Sequence, residues 1–206
     1  MRFVLASVTA FASITAAAAT AQSVPAPQVG AAARDFRLTD SNGRNHSLAQ
    51  YRGKTVVLEW NNPGCPYVQK HYNSGNMQRS QAAARERGVV WLTVNSGAPG
   101  KQGHMTGAQA NGFLTEQKAT PAAYLLDARG VVGKAYAATT TPEMLVITPA
   151  GRIAYMGAID DKPTSKVEDV PGARNHVLAA LDELRAGKAV SVAKTRSYGC
   201  SVKYAT

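Results

Sequence analysis

Cysteine is scarce in this 206-residue chain, which contains only Cys65 and Cys200. Two cysteines are too few for the disulfide framework of a small secreted scaffold, although they can form a single bridge. Acidic residues are also few, with 13 Asp and Glu against 23 Lys and Arg, so the formal net charge is +10. The basic residues are scattered and are not interleaved with aromatic residues in one run. Nucleic acid is therefore not an expected partner.

The first 21 residues contain a long apolar stretch. Arg2 precedes an Ala-rich segment that ends in Ala19-Thr20-Ala21, a pattern that predicts a secretory signal peptide cleaved before Gln22. A transmembrane anchor is the alternative, but the strongly apolar part is short and gives way to small residues and proline. We expect a signal peptide (1–21), one domain (22–188) and a C-terminal tail (189–206). The mature protein would be periplasmic or secreted, without stable membrane insertion.

A cysteine stands where a buried strand gives way to a helix. The apolar run Val56–Trp60 predicts the strand, and Asn, Pro and Gly then break it. Pro66 suits the first position of a helix, and 68–85 contains no further Gly-Pro pair that would stop it, which predicts one long helix that ends at Gly88. Cys65 would then lie at the helix N-terminus, where free N–H groups and the helix dipole favour a thiolate. The alternative is a small buried core residue.

The remaining chain alternates strand-like and helix-like segments, which indicates an α/β layer fold with a central sheet. Pro142 precedes the apolar run that ends at Ile147. A proline suits the first position of a strand, and Pro142 is also a candidate for a cis peptide bond. We predict strands over 35–39, 45–48, 89–94, 122–126 and 153–157, with helices over 108–118 and from the Asn175 cap to Gly187.

Several stretches, in this order, resemble those of a known family. They are Asp35–Asp40, Val57–Trp60, Cys65–Tyr72, Thr141–Glu143, Gly157–Asp161 and Tyr198–Tyr204. The order of elements resembles the thioredoxin fold, and the chain is more closely similar to exported, peroxiredoxin-like members of the redoxin (AhpC/TSA-like) family. The resemblance implies an α/β, thioredoxin-like three-layer fold, in which a central mixed β-sheet is flanked by helices.

The resemblance also implies roles for particular residues. Cys65 would be the nucleophile, followed by Pro66, and the Thr141-Pro142 pair would face it and hydrogen-bond an incoming substrate. Glu59 lies six residues before Cys65, where thioredoxins carry a buried acid that could relay a proton. The alternative for Glu59 is a strand residue satisfied by a neighbouring lysine or by water.

The chain departs from the family patterns at two places. Val68 replaces the second cysteine of a C-x-x-C motif, so Cys65 cannot close a local disulfide. Asn62 stands where peroxiredoxins carry a threonine that orients the peroxide, and its amide is the candidate donor in that place. Cys200 is the internal candidate to resolve an oxidised Cys65; alternatively, it pairs between molecules or stays free.

We therefore expect an antioxidant, thiol-dependent oxidoreductase that uses a peroxide or disulfide substrate and an external thiol reductant. A thiol–disulfide exchange protein and a non-catalytic binding module that uses the Thr141-Pro142 groove are the alternatives. No cofactor is implied, and the scattered histidines have no metal-ligand spacing. His71 is expected on the helix surface or as a distant influence on Cys65.

Overall fold

A computed structural model describes residues 26–205, and the predicted signal peptide lies outside them. Within that range, every helix is too short or too polar to cross a bilayer. The helices are α1 (Pro66–Asn73), α2 (Asn76–Glu86), α3 (Gly107–Glu116), α4 (Val131–Ala135) and α5 (His176–Arg185). The strands are β1 (Arg37–Asp40), β2 (Asn45–Ser47), β3 (Val56–Trp60), β4 (Val90–Asn95), β5 (Ala123–Leu126), β6 (Thr140–Thr141), β7 (Glu143–Ile147), β8 (Ile153–Gly157) and β9 (Cys200–Ser201).

Seven strands form a mixed sheet in the order β2-β1-β5-β4-β3-β7-β8. Strand β3 lies inside the sheet, parallel to its neighbour β4 and antiparallel to its neighbour β7. All five of its residues are buried, because both faces of the sheet are covered. Strands β6 and β9 form a separate two-stranded sheet. The fold class is the one expected from the sequence.

The alternation of side chains along β3 divides the core into two clusters. Leu58 and Trp60 pack with Leu92, Leu125 and Tyr136 on one face. Val57 packs on the other face, among side chains from α1, α2 and α5. Strand β3 ends beside the loop that carries Cys65. Because the core is packed against both faces of this strand, the start of the loop is held in place.

The prediction of one long helix after Cys65 is wrong, because the chain breaks between α1 and α2. Ser74 caps the end of α1, and Gly75 adopts a left-handed conformation with φ of +71°. Glycine reaches that conformation without a steric penalty and is the residue that most often terminates a helix. The short helix α4 was not predicted, and β1 begins two residues later than expected.

The C-terminal segment Ala193–Tyr204, here called the strap, lies across the domain. Its first part bonds the edge strand β8, where Met156 N donates to Ala193 O at 3.1 Å and Thr195 N donates to Met156 O at 3.1 Å. Its middle pairs with β6 through β9. At its end, the Tyr204 hydroxyl donates to Ala138 O at 2.7 Å. The strap is therefore docked on the domain from Ala193 to Tyr204.

Candidate active site

The loop before α1 presents Cys65 at the helix N-terminus, as the sequence predicts. Cys65 occupies the cap position in an extended conformation, and Pro66 is the first helical residue. Asn62 tightens the loop, because its carbonyl accepts the Cys65 N–H at 2.9 Å and its side-chain oxygen accepts Gly64 N–H at 2.9 Å. The first turn of α1 is thereby aimed at the sulfur.

The Cys65 sulfur lies against the Thr141-Pro142 segment, whose peptide bond is cis. The Cys65 thiol donates to the Thr141 carbonyl oxygen at 3.2 Å. Both residues are buried, and Cys65 has 0% of its surface exposed. The predicted juxtaposition of Cys65 with this pair is present in the structure.

Cys200 reaches the same place from the far end of the sequence. Strand β9 pairs antiparallel with β6, and the register sets Cys200 directly opposite Thr141. The side chains of Cys65 and Cys200 interact, because each shifts the pKa of the other. Both cysteines are free, with Cys65 buried and Cys200 partly exposed. A docked strap thus brings together two thiols that are 135 positions apart in sequence.

The two thiols have different acidities. Burial alone would raise the Cys65 pKa, but hydrogen bonds from the Cys200 thiol and from the Val68 and Cys200 N–H groups stabilise its thiolate, and the net pKa is lowered. Burial, with the hydrogen bond to Cys65 and its charge, raises the Cys200 pKa to about 12. Cys65 therefore ionises more readily and is the better leaving group, and Cys200 retains its proton.

Glu59 is fully buried beneath the site, but its partners differ from those of a proton relay. One carboxylate oxygen accepts the Tyr72 hydroxyl at 2.8 Å and Asn61 Nδ2 at 3.1 Å. The other accepts Trp91 Nε1 at 2.8 Å and the Thr93 hydroxyl at 3.0 Å. Burial raises its pKa, and these bonds partly oppose that shift. No hydrogen bond between Glu59 and Cys65 occurs in the part of the chain described.

The Asn62 amide makes other contacts than those expected of a group that orients a peroxide. Its side-chain nitrogen donates to Gln102 Oε1 at 2.9 Å. A Cβ atom on Gly103 would lie 1.9 Å from the Asn62 side-chain oxygen, so the 96–106 loop packs closely on this amide. Asn62 therefore holds the Cys65 loop against that neighbouring loop.

Comparison with known proteins identifies the family of the chain. Residues 29–156 match the model of the AhpC/TSA family. The chain belongs to the AhpC/TSA family. It is 37% identical over 71 residues to the thiol-disulfide oxidoreductase ResA of Geobacillus kaustophilus. That match covers 34% of this chain and 40% of the relative, so less than half of the relative's length is spanned.

Solved structures show that this AhpC/TSA-family chain has a thioredoxin-like fold. A hypothetical protein from Sinorhizobium meliloti superposes with a TM-score of 0.73 at 23% identity, covering 88% of this chain and 97% of that one. Peroxidoxin BcpB from Mycobacterium tuberculosis superposes with a TM-score of 0.53 at 17% identity, covering 78% and 97%. At these identities the likeness establishes the fold alone. The family and its relatives support an oxidoreductase.

A buried polar cluster beside the cysteines was not anticipated as part of the site in this AhpC/TSA-family chain. Lys70 and His71 of α1, Asp160 after β8 and Tyr198 of the strap converge there. The expectation of a surface role for His71 is wrong, since the residue is 0% exposed and burial lowers its pKa to about 4. A Lys-His pair within a helix gives no sign of burial in the sequence. Tyr198 could have been noticed, because it lies only two residues before Cys200.

Proposed function

We propose that the chain is an exported, thiol-dependent peroxidase that cycles between a reduced Cys65/Cys200 pair and a Cys65–Cys200 disulfide. The observation that carries the proposal is the β6–β9 register, which places Cys200 opposite the residue whose carbonyl receives the Cys65 thiol. Export is inferred from the signal-like residues 1–21, and an oxidising compartment permits a Cys65–Cys200 disulfide to persist until a reductant restores the thiols.

In the first step, the Cys65 thiolate attacks the terminal oxygen of a peroxide. A sulfur–oxygen bond forms as the oxygen–oxygen bond breaks, and the leaving alkoxide or hydroxide takes up a proton. The peroxide is reduced by two electrons to an alcohol or water, and Cys65 becomes a sulfenic acid. The lowered pKa of Cys65 supplies the thiolate that this step needs.

In the second step, Cys200 attacks the sulfenic sulfur of Cys65. The disulfide bond forms, the sulfur–oxygen bond breaks, and hydroxide leaves with the Cys200 proton as water. An external dithiol then restores both thiols and leaves as its own disulfide. It attacks Cys200 first, because that sulfur is partly exposed and because Cys65, with the lower pKa, is the better leaving group.

Access favours a small oxidant over a protein disulfide. With the strap docked, Cys65 has no exposed surface, and β9 occupies the β6 edge on which an extended peptide would lie. A peroxide needs only a small opening of the strap to reach the sulfur, whereas a protein disulfide needs the strap removed. The same occupancy weakens the binding-module alternative, since the chain itself fills the Thr141-Pro142 groove.

Thiol–disulfide exchange is the second candidate, and the 37% identity with ResA over 71 residues favours it. In that case a substrate disulfide, and not a peroxide, would oxidise the Cys65/Cys200 pair. The pair would still alternate between dithiol and disulfide, so the two candidates share their residues. They differ in what delivers the oxidising equivalents.

Turnover assays with the mature chain separate these functions. With a dithiol reductant present, we expect hydrogen peroxide consumption that is abolished in Cys65→Ser and slowed in Cys200→Ser, which retains the nucleophile but needs an external resolving thiol. Reduction of a protein disulfide without peroxide consumption would replace the proposal by the exchange function. Failure of both reactions in a folded wild-type chain would contradict the enzyme assignment.

A further inference from the structure

We propose that Tyr198 is a positioning residue, a latch that fastens the strap to the helix carrying Cys65 and so sets Cys200 against it. Its consequence for the Cys65–Cys200 pair rests on the proposed function; the latch itself is a property of the reduced, resting protein.

The Tyr198 side chain is held by four groups. Its hydroxyl donates to Asp160 Oδ1. The same oxygen lies 3.4 Å from His71 Nε2 and 3.5 Å from Lys70 Nζ. The ring packs edge-to-face on Tyr67, with centroids 5.8 Å apart, and lies beneath the Lys70 ammonium at 5.5 Å. Because Tyr67, Lys70 and His71 all belong to α1, the latch joins the strap to the helix that Cys65 caps.

The polar part of the latch is buried, so the loss of any of its hydrogen bonds is costly. Lys70 and Asp160 are 1% and 2% exposed and form an ion pair of 3.2 Å. A buried ion pair is tolerated only when its remaining donors and acceptors find partners. The Lys162 carbonyl accepts from Lys70 at 2.7 Å, and Lys162 N–H and the Tyr198 hydroxyl both donate to Asp160 Oδ1. Lifting the strap removes one of the two donors on that oxygen.

The link from the latch to Cys200 is short and tightly fitted. Gly199 alone separates Tyr198 from Cys200, and its φ of +138° is a conformation that suits glycine. A Cβ atom at Gly199 would lie 2.0 Å from the Thr141 carbonyl oxygen. The strap thus passes Thr141 at backbone contact, so the place where Tyr198 is held determines where Cys200 lies. The hydroxyl of Tyr204 anchors the strap again beyond Cys200.

The test is the reactivity of Cys65 toward a polyethylene glycol maleimide, which is too bulky to reach the sulfur while the strap is docked. The Tyr198→Phe variant is compared with its parent, and both proteins carry Cys200→Ser, so that Cys65 is the single thiol. Tyr198→Phe keeps the ring on Tyr67 and removes a hydrogen bond to a buried charge. We expect the alkylation rate of the reduced protein to rise by about tenfold to a hundredfold.

Tyr51→Phe is the matched control. Its hydroxyl lies 2.6 Å from His46 Nδ1, in the β1–β2 region away from the strap, and we expect an unchanged alkylation rate. In the chain with both cysteines, limiting peroxide with dimedone adds a second readout. Wild type should yield mainly disulfide, and Tyr198→Phe should yield a larger fraction of dimedone adduct at Cys65.

Equal alkylation rates in Tyr198→Phe and its parent would overturn the latch, whether or not the wild type reduces peroxide. A rise accompanied by a fall in melting temperature large enough to account for it would also overturn it, since global opening would then expose Cys65. Faster alkylation at an unchanged melting temperature would support the latch. That result would hold even if the wild type formed no Cys65–Cys200 disulfide, an outcome that would contradict only the peroxidase cycle.

Discussion

Replacing Glu59 by glutamine should destabilise the fold and leave the reactivity of Cys65 nearly unchanged. Four donors point at the two carboxylate oxygens. An amide keeps one acceptor oxygen and replaces the other by a donor. The indole of Trp91 can only donate, so the amide oxygen must face it. The new NH2 group then meets the Asn61 amide, donor against donor, and the Tyr72 hydroxyl loses its acceptor.

The cost follows from those two lost contacts. A buried polar group left without a partner costs about 1–3 kcal/mol, and the hydrogen bonds here are short and buried. We expect Glu59→Gln to lower the free energy of unfolding by about 2–4 kcal/mol. For a chain of this size each kcal/mol lowers the melting temperature by about 2–4 °C, which predicts a fall of about 4–16 °C.

Urea unfolding and thermal melting measure this change. Glu116→Gln on the exposed surface of α3 is the control, and we expect its stability to lie within about 0.5 kcal/mol of wild type.

The pH dependence of stability gives a second readout. Burial raises the Glu59 pKa, so the folded state holds that proton more tightly than the unfolded state. Wild type should lose stability as the pH rises from the ordinary carboxyl value through the raised one, and Glu59→Gln should lose that slope. Wild-type stability with abolished Cys65 reactivity would refute the reasoning and restore the proton relay.

Three further changes test the neighbouring contacts. Cys200→Ala removes a thiol that hydrogen-bonds Cys65, so the Cys65 pKa should rise; iodoacetamide reactivity would then reach half its maximum at a higher pH than in wild type. An unchanged midpoint would contradict the contact. Gly199→Ala should push the strap off Thr141 and reduce the yield of peroxide-driven disulfide, with sulfenic acid trapped by dimedone in its place; a wild-type yield would show that the close approach is not required. Thr106→Ala removes the side-chain cap of α3 and should cost about 1 kcal/mol in urea unfolding, with no effect on Cys65 alkylation.

The features that the sequence predicted correctly are local ones. Cys65 caps a helix because Pro66 suits the first helical position and the Asn-Pro-Gly run ends the strand before it. The apolar run of β3 is buried on both faces. Pro142 stands one residue before a buried strand, next to the first position expected for it, and it has the cis peptide bond for which the sequence made it a candidate. Each of these depends on a few adjacent residues whose conformational preferences agree.

The features that were missed depend on tertiary contacts or on weak local signals. Gly75 breaks the helix after Cys65, although a single glycine is often tolerated inside a helix. Helix α4 has five residues, too few to show a helical period. The burial of His71 and Lys70 depends on Asp160 and on a strap residue 127 positions beyond His71, so no window along the sequence could reveal it.

The expected roles of Glu59 and Asn62 show the limit of reasoning from spacing. Both residues lie where the family resemblance places functional groups, and both are buried beside the Cys65 loop. The donors of Tyr72 and Trp91 surround the acid, and Gln102 engages the amide. Spacing gave these residues an expected role, but it did not identify the groups that compete for their hydrogen bonds. Their catalytic roles stay predictions.

The most direct test of the central claim is to treat the reduced mature protein with limiting hydrogen peroxide and map its cysteines by intact mass and peptide mass spectrometry. We expect a loss of two hydrogens and a Cys65–Cys200 linked peptide, because the β6–β9 register sets the two thiols together. Cys65 remaining a thiol under peroxide that oxidises an ordinary free cysteine would contradict the peroxidase cycle.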